Sequence, residues 1–275
     1  MKKQILSVAA AVMALSAQAL TFGPVTAVSG TPSGASHPVL SPDGNILLFA
    51  APVTEALSLL DLASGEISVL DDAAGAAATA VFAADSRSIA YKTFDRVDGL
   101  ACSDVRTVRL DGKKHVRSVG RMQRKPQIAQ PAGDCAVADY STIKVSRGGT
   151  VTDITPVEGA FSYQNAQLSP DGSRIVFTVP FQGVFVCNAD GSGAERVAER
   201  GSRPVWAGNS VVAFILSHDD GYVILSSQLV TCDLDSRQIQ VVSDPDTIVE
   251  DATGRDGLIV FSTLAGDIKQ VTFTR

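Results

Sequence analysis

The sequence has little histidine and few aromatic side chains, and this shortage limits the chemistry that it can support. Of 275 residues, three are histidines (His37, His115 and His218), one is tryptophan, and aromatic residues make up 6% of the chain. No pair of cysteine or histidine residues has zinc-ligand spacing, and no segment reads G-x-S-x-G, the motif of a hydrolase nucleophile. Long amphipathic helical runs are also absent. We therefore expect no helical bundle, no metal, no cofactor and no catalytic residue.

After the N-terminus the chain has no stretch of eighteen uninterrupted apolar residues, so we expect no membrane span. The first nineteen residues have the pattern of an export signal. Lys2 and Lys3 form a basic start, Ile5–Leu15 is a mostly apolar run, and Ala17–Ala19 is an A-x-A cleavage site. No cysteine lies near this site, which argues against a lipid anchor. The sequence predicts a signal peptide over 1–19 and a periplasmic or secreted protein; the alternative is a short buried N-terminal helix.

The net charge also limits the classes of molecule that the protein is expected to bind. The formal charge is −6, and it becomes −8 when cleavage removes two lysines and no acidic residue. Mild acidity argues against general binding to nucleic acid. Acidic residues cluster in the last part of the chain, and this sector could steer a charged partner or simply form a solvated surface. The acidic cluster comprises Asp244, Asp246, Glu250, Asp251 and Asp256.

A repeated turn is the strongest signal in the sequence. Ser-Pro-Asp-Gly occurs at 41–44 and again at 169–172, each time between two apolar segments. Proline sets φ for such a turn, and Asp and Gly accept the geometry that follows. Equivalent turns recur at intervals of roughly forty residues, a spacing typical of four-stranded propeller blades. The six turn positions are Asp43, Asp85, near Ala132, Asp171, near Gly208 and Asp256.

Short apolar segments follow each turn, and they suit strands that are buried on both faces between neighbouring sheets. The sixth unit is incomplete, because only one further strand follows Leu258–Phe261 before the chain stops. A strand-like segment at Phe22–Val28 precedes the first unit and has no partner of its own. The sequence therefore predicts one all-β domain over 20–275: a six-bladed β-propeller in which the N-terminal strand completes the last blade and removes exposed sheet edges.

This pattern resembles the repeats of the TolB-like six-bladed propeller family and of the propellers attached to prolyl-oligopeptidase-like hydrolases. The resemblance rests on Pro38–Gly44, on Leu168–Gly172 and on the Asp-Gly-Ser-Gly turn at 190–193. Two units match well and four are degenerate. There is no room between Ala19 and His37 for the α/β domain that precedes the propeller in TolB. The resemblance thus implies a fold, and function by fold analogy is a weak guide.

Other polar motifs have a plain structural interpretation. His218–Gly221 could be a general-base or metal cluster, but it falls between predicted strands and is interpreted as a hairpin loop. Asn188–Gly193 resembles half of a calcium loop yet lacks the distant glutamate. Cys187 and Cys232 occupy equivalent places in successive units, too far apart for a disulfide, and are expected to be buried thiols. Whether Cys102 and Cys135 form a disulfide is left open.

One position in the repeat suggests a binding site. The residue before the first-strand proline, or its equivalent, is polar in all six units, and in a closed ring these residues would lie near one end of the central channel. Alternatively, first strands are polar there because they start at a solvated rim. The predicted ligand-binding residues at the channel mouth are His37, Thr79, Lys125, Asn165, Arg203 and Glu250.

We expect a non-catalytic binding module, monomeric and without a membrane span. Its partner would be an envelope or extracellular protein, a peptide or a glycan, and not nucleic acid. The alternative is a carbohydrate- or peptide-processing enzyme with its site at the channel. Propeller enzymes usually show several histidines or a set of carboxylates at the channel mouth, and three scattered histidines favour the binding module.

Overall fold

The protein is all-β in the computed structural model, which describes residues 19–111, 116–118 and 133–275. Within these ranges one turn of 3-10 helix, Ala77–Thr79, accompanies the strands. In chain order the strands are β1 (Thr21–Phe22), β2 (Thr26–Ala27), β3 (Ser36–Leu40), β4 (Ile46–Ala50), β5 (Leu57–Asp61), β6 (Ile67–Asp71), β7 (Val81–Phe82), β8 (Ser88–Val97), β9 (Leu100–Arg109), β10 (Val116–Ser118), β11 (Cys135–Asp139), β12 (Thr142–Arg147), β13 (Thr150–Ile154), β14 (Gln164–Leu168), β15 (Arg174–Val179), β16 (Gly183–Asn188), β17 (Glu195–Ala198), β18 (Ser202–Trp206), β19 (Val211–Asp219), β20 (Ile224–Asp233), β21 (Ile239–Val241), β22 (Val249–Arg255), β23 (Leu258–Thr263) and β24 (Ile268–Thr274).

The strands form six antiparallel sheets arranged as the blades of a propeller, which confirms the predicted fold. Blade one contains β3–β6, blade two β7–β10, blade three β11–β13, blade four β14–β17, blade five β18–β21, and blade six β22–β24 with β1 and β2. The predicted turn near Ala132 lies outside the described residues. Each complete blade is an up-and-down meander, so its first strand lies nearest the channel and its fourth strand is outermost.

The N-terminal strand closes the ring, as the sequence predicts. Phe22 pairs with Phe273, and Thr26 pairs with Gln270, so β1 and β2 lie along the outer edge of β24. Between them the Gly23 N–H donates to the Thr272 carbonyl oxygen over 2.8 Å. Val25 packs against the apolar cluster that includes Val271. This pairing covers the edge of β24, which would otherwise be open to other strands.

The apolar core lies between the blades. The second and third strands are continuous apolar runs, and their side chains are buried on both sides because each blade packs on its neighbour. Leu48 and Leu57 of blade one share a cluster with Tyr91 of blade two. Val184 of blade four likewise packs with Phe214 of blade five. The core is therefore a series of layers around the ring.

The Ser-Pro-Asp-Gly turns form as predicted, and they define one face of the ring. The Ser41 hydroxyl donates to Asp43 over 2.6 Å and accepts the Ile46 N–H. Ser169 makes the same pair of hydrogen bonds with Asp171 and Arg174. We call this end, which carries the turns between first and second strands, the turn face. The opposite end, where first strands begin and where second strands lead into third strands, is the mouth face.

All four cysteines are buried and none is in a disulfide, so Cys102 and Cys135 are not bridged. Burial raises the pKa of the Cys187 thiol to about 12, with a smaller contribution from Asp190. Burial also raises the pKa of Cys232. These two residues are therefore buried apolar thiols, as the sequence indicates. Over the described ranges we find no helix long and apolar enough to cross a membrane.

Candidate functional site

Three first strands carry the same β-bulge where they begin at the mouth face. In blade one, Ser36 pairs with Ala50 and Val39 with Leu48, so two residues, His37 and Pro38, lie opposite Phe49. The same shift places 165–166 opposite residue 177 in blade four and 203–204 opposite residue 214 in blade five. A bulge of this kind bends the strand and redirects a side chain. The bulges therefore set the direction of the predicted mouth residues.

The first residue of the bulge has a left-handed backbone conformation in all three blades. The φ angle is 51° at His37, 52° at Asn165 and 50° at Arg203. This region is unfavourable for residues other than glycine, and proline further restricts the residue before it. His37 and Arg203 both precede a buried proline, so their backbone is held by the surrounding structure at a cost of about 1–3 kcal/mol each. Strain repeated at one place in a repeat marks a candidate functional site.

Asp251, on the first strand of blade six, connects two of these bulges. Its carboxylate accepts a hydrogen bond of 2.6 Å from Nδ1 of His37 in blade one. It also forms an ion pair with the guanidinium group of Arg203 in blade five. The same guanidinium group donates to the Glu250 carbonyl oxygen over 2.9 Å. Three neighbouring blades thus converge on one carboxylate, and we call His37, Arg203, Glu250 and Asp251 the mouth cluster.

The charges in the mouth cluster stabilise one another. The hydrogen bond to Asp251 raises the pKa of His37, although burial opposes this change. Burial by itself would raise the pKa of Asp251, but the hydrogen bond from His37 and the charge of Arg203 outweigh it and lower that pKa. The Asp251 side chain is 20% exposed, whereas His37 is 39% and Arg203 48% exposed. The cluster therefore presents its cationic partners to the solvent and keeps the carboxylate behind them.

The structure brings together three of the six predicted mouth residues, His37, Arg203 and Glu250. Asn165 has the equivalent bulge geometry and is exposed on the mouth face. The Thr79 hydroxyl instead donates to the Gly75 carbonyl oxygen and accepts the Lys92 N–H, so it is engaged within blade two. Lys125 lies outside the described residues. The central residue, Asp251, was noted in the sequence only as part of an acidic cluster.

A second polar cluster on the mouth face joins blades one and two. Asp71, at the end of β6, accepts the Tyr91 hydroxyl over 2.7 Å and the Arg106 guanidinium over 2.8 Å. Asp104 accepts the Ser118 hydroxyl and a longer contact from Arg106. No pattern in the sequence indicates this cluster, because its members come from four strands. Its carboxylates are almost fully paired, which is typical of a structural connection between blades.

The chemistry available at the mouth cluster is limited to charge and proton exchange at one imidazole. The His37–Asp251 pair could hold or release a proton, and Arg203 could contact an acceptor group. In the part of the chain that the structure describes, no group of three His, Cys, Asp or Glu side chains is arranged to hold a metal ion. The predicted turn at Asn188–Gly193 is confirmed as a turn, in which Asp190 accepts the Ser192 N–H over 2.9 Å.

We predict that His37 titrates above its ordinary value of 6.5 and stabilises the fold only while it is protonated. Because its pKa is raised on folding, this contribution is complete below pH 6.5 and is lost as the pH rises through the folded pKa. The lowered pKa of Asp251 adds a contribution that is lost in acid, below its ordinary value of 3.8. Stability should therefore fall as the pH rises above 6.5, and His37→Gln should remove this fall. NMR titration of the His37 ring measures the shift directly.

Asp251→Asn should lower the pKa of His37, because burial and the charge of Arg203 then act without the opposing carboxylate. Asp267→Asn, a change at an exposed mouth-face carboxylate, should leave that pKa unchanged. An unshifted His37 in the native protein would contradict the pairing.

Comparisons with known proteins agree with this fold. The sequence matches no protein-family model and no curated protein. A putative TolB from Agrobacterium tumefaciens is similar in structure, with a TM-score of 0.57 and 18% identity over 91% of this chain and 97% of that one. An oligogalacturonate lyase in complex with manganese gives a TM-score of 0.52 and 16% identity over 87% of this chain and 77% of that one.

The acylaminoacyl peptidase of Pyrococcus horikoshii is also similar, with a TM-score of 0.52 and 16% identity. The match covers 84% of this chain but 42% of the peptidase, so the chain corresponds to less than half of that enzyme. These three structures are a putative TolB, a lyase and a peptidase. At these identities the similarity shows the fold alone: the chain is a six-bladed β-propeller that is similar in structure to all three.

Proposed function

We propose that this chain is an exported, non-catalytic propeller that binds a protein, peptide or glycan partner at the mouth face. The observation that carries the proposal is the mouth cluster itself, in which two strained bulges and a third blade hold charged side chains at the end of the channel. Strain is retained in folds mainly where it positions functional groups. The cationic groups of the cluster are partly exposed, so a partner could contact them directly.

The bonding of the cluster supports binding over catalysis. Both oxygens of Asp251 have a positively charged partner, His37 on one and Arg203 on the other. A general base needs a carboxylate or imidazole that can accept a proton from substrate near the working pH. Here Asp251 raises the pKa of the imidazole and so favours its charged form, and no other histidine is among the groups that shift this pKa in the described residues. The arrangement is that of a rigid charged surface.

An enzyme is the second candidate, and the His37–Asp251 hydrogen bond is the observation that favours it. Such a pair could transfer a proton if a substrate displaced Arg203. Assay of bound metal in the purified protein separates the two functions, because stoichiometric metal would favour the enzyme. Loss of a hydrolase or lyase activity in His37→Gln would do the same.

The binding function is tested by capture with a matched pair of charge reversals. Arg203→Glu changes the mouth cluster, and Arg237→Glu changes an arginine of the turn face that is similarly exposed and also ion-paired. Immobilised native protein should enrich one dominant partner from an extract of the source cell envelope. Arg203→Glu should reduce that enrichment at least tenfold, and Arg237→Glu should not. Equal capture by both variants would exclude the mouth cluster as the binding site.

The same comparison tests the remaining mouth residues. Adding Lys125→Glu to Arg203→Glu should abolish the residual capture while the melting temperature stays close to that of Arg203→Glu alone. Substitution of Asn165 or Thr79 should have a smaller effect, because Asn165 is outside the mouth cluster and the Thr79 hydroxyl is bonded within its own blade.

Export after cleavage at Ala19 is also part of the proposal. The closing strand begins at Thr21, and Leu20 is buried against blade six, so cleavage there would leave every described strand intact. The intact mass of the protein recovered from the periplasm or culture medium gives the first residue.

The closed ring, with its β24 edge covered by β1 and β2, supports a monomer.

A further inference from the structure

Two blades have hairpins that project well beyond the others on the mouth face. Most second and third strands have five or six residues, whereas β8 and β9 in blade two have 10 each, and β19 and β20 in blade five have 9 and 10. The extra length is about four residues per strand, or roughly 14 Å. We call residues 93–104 and 216–228, which lie beyond the level of the first strands, the blade-two arm and the blade-five arm.

The two arms lie on opposite sides of the channel mouth. Blades two and five are three blades apart in either direction around a ring of six. Both arms are connections between second and third strands, so both leave the ring at the mouth face. The mouth cluster therefore lies between them, and the two arms form the walls of a wide cleft above it.

Both arms expose apolar side chains. In the blade-five arm nine consecutive residues, 217–225, are exposed, and they include Tyr222 at 96% and Leu225 at 56%. A strand with one buried face would alternate between buried and exposed positions. Both faces of 217–225 are therefore solvated, whereas Ser227 at the base of the arm is buried and its hydroxyl donates to the Val249 carbonyl oxygen over 2.6 Å. The blade-two arm exposes Phe94, Val97 and Leu100.

The surroundings of the arms are acidic. The exposed charged side chains of the arms and of the adjoining connectors, 72–80 and 243–248, are nearly all carboxylates, and Arg96 is the one arginine or lysine among them in the described residues. These carboxylates are Asp72, Asp95, Asp98, Asp219, Asp220, Asp244 and Asp246. The floor of the cleft carries the cationic groups of His37 and Arg203, but its walls are apolar and negatively charged. Such walls attract a segment whose apolar and positively charged side chains lie against the arms.

We infer that the two arms clamp a cationic, apolar polypeptide segment of another protein across the channel mouth. This inference rests on the proposed binding function and names the chemistry of the partner. The exposed apolar side chains of the arms would pack on aromatic or aliphatic residues of the segment. Lysine or arginine residues of the segment would face the carboxylates beside the arms. The outer edges of the two hairpins also offer backbone groups to an extended segment.

The acidic residues argue against a lipid surface as the occupant. Asp219 and Asp220 are at the tip of the blade-five arm, and their carboxylates accept the N–H groups of 221–223 over 2.9 Å. These bonds to ionised groups would have to enter the headgroup region together with Tyr222, which is costly. The same negative charge on every copy would repel a second copy of the chain that approached arm to arm.

Selection from a random library of 12-residue peptides displayed on phage tests the inference. The purified mature protein is the bait, and enriched peptides are synthesised and their Kd measured by fluorescence anisotropy. Enriched peptides should combine lysine or arginine with aromatic or aliphatic residues. Their Kd should rise at least tenfold for Tyr222→Ser/Leu225→Ser and for Val97→Ser/Leu100→Ser. The matched control is Phe181→Ser, which changes a fully exposed aromatic residue on the short hairpin of blade four and should alter Kd less than twofold.

Several outcomes would overturn the inference. These are the absence of any enriched peptide, enrichment without cationic residues, and equal Kd for the native protein and the arm variants. Binding of the native protein to phosphatidylcholine vesicles that the arm variants lose would assign the arms to lipid. A native dimer that the arm variants convert to monomer would assign them to a second copy. If Arg203→Glu weakens peptide binding and the arm variants do not, the proposed function holds and the clamp is wrong.

Discussion

A variant that lacks residues 20–28 should lose most of its stability and associate through blade six. These residues contribute the buried side chains of Leu20 and Val28 and the partly buried Phe22 and Val25. Complete burial of one such side chain is worth about 1.5–3 kcal/mol, and a domain has a total of about 5–15 kcal/mol. Urea unfolding followed by circular dichroism measures the loss, and size-exclusion chromatography detects the association expected of an uncovered β24 edge.

A synthetic peptide of residues 20–28 gives this prediction its control. Added to the shortened variant, it should pair with β24 in the register of Phe22 with Phe273 and restore a monomer with a higher urea midpoint. A peptide of the same composition in scrambled order should not. A shortened variant that is as stable as the complete protein would show that the ring does not depend on this strand.

Trp206→Ala should cost about 3–5 kcal/mol, the range for removal of a large buried aromatic side chain. Trp206 is 2% exposed and packs between blades four and five. Its indole N–H donates to the Gln167 carbonyl oxygen over 2.9 Å, and its backbone N–H donates to the Gln167 side chain over 3.0 Å. At about 2–4 °C for each kcal/mol, the melting temperature should fall by roughly 10 °C.

Trp206→Phe separates the ring from its hydrogen bond. It keeps most of the apolar contact but leaves the Gln167 carbonyl oxygen without the indole donor, so a smaller loss of about 1–2 kcal/mol is expected. Phe181→Ala, at a fully exposed aromatic residue, should change stability by less than about 0.5 kcal/mol. Trp206 is the only tryptophan, so both variants lose the tryptophan fluorescence that could report unfolding. Unfolding is therefore followed by circular dichroism. A loss below 1 kcal/mol for Trp206→Ala would mean that blades four and five are held by other contacts.

The parts of the fold that depend on local chemistry could be predicted from the sequence. The turns at Asp43 and Asp171 are determined by five or six adjacent residues, and the hydrogen bonds of Ser41 and Ser169 form within the same segment. The pairing of Phe22–Val28 with the last blade followed from counting strands, since a closed ring needs a partner for each one. The repeated turn and the two strand-like ends of the chain were therefore enough to predict the fold.

The mouth cluster could be predicted only in part, because it depends on register between distant strands. His37 and Asp251 are separated by 214 positions in the chain, and their contact requires both the bulge at His37 and closure between blades six and one. The proline after His37 and after Arg203 was the available signal for the bulge, since proline in a strand favours such positions.

The arms were missed for a different reason. The sequence predicts a hairpin loop at His218–Gly221, and the hairpin is confirmed, but β19 continues to Asp219 and the loop lies at 220–223. Ser217 pairs with Ser227 and His218 with Ser226, so cross-strand pairing extends the hairpin although neither face is buried. A two-stranded ribbon without a buried face lacks the alternating pattern from which strands are predicted.

The four cysteines can serve as intrinsic probes of how the ring unfolds. Cys102, Cys135, Cys187 and Cys232 are distributed one to a blade over blades two to five, and all four are shielded from solvent. Thiol-modifying reagents can reach such groups only when the surrounding sheets separate. Mass-spectrometric timing of alkylation would therefore report the order in which blades three to five open, and Cys102 would report the opening of the blade-two arm, with no labels introduced into the protein.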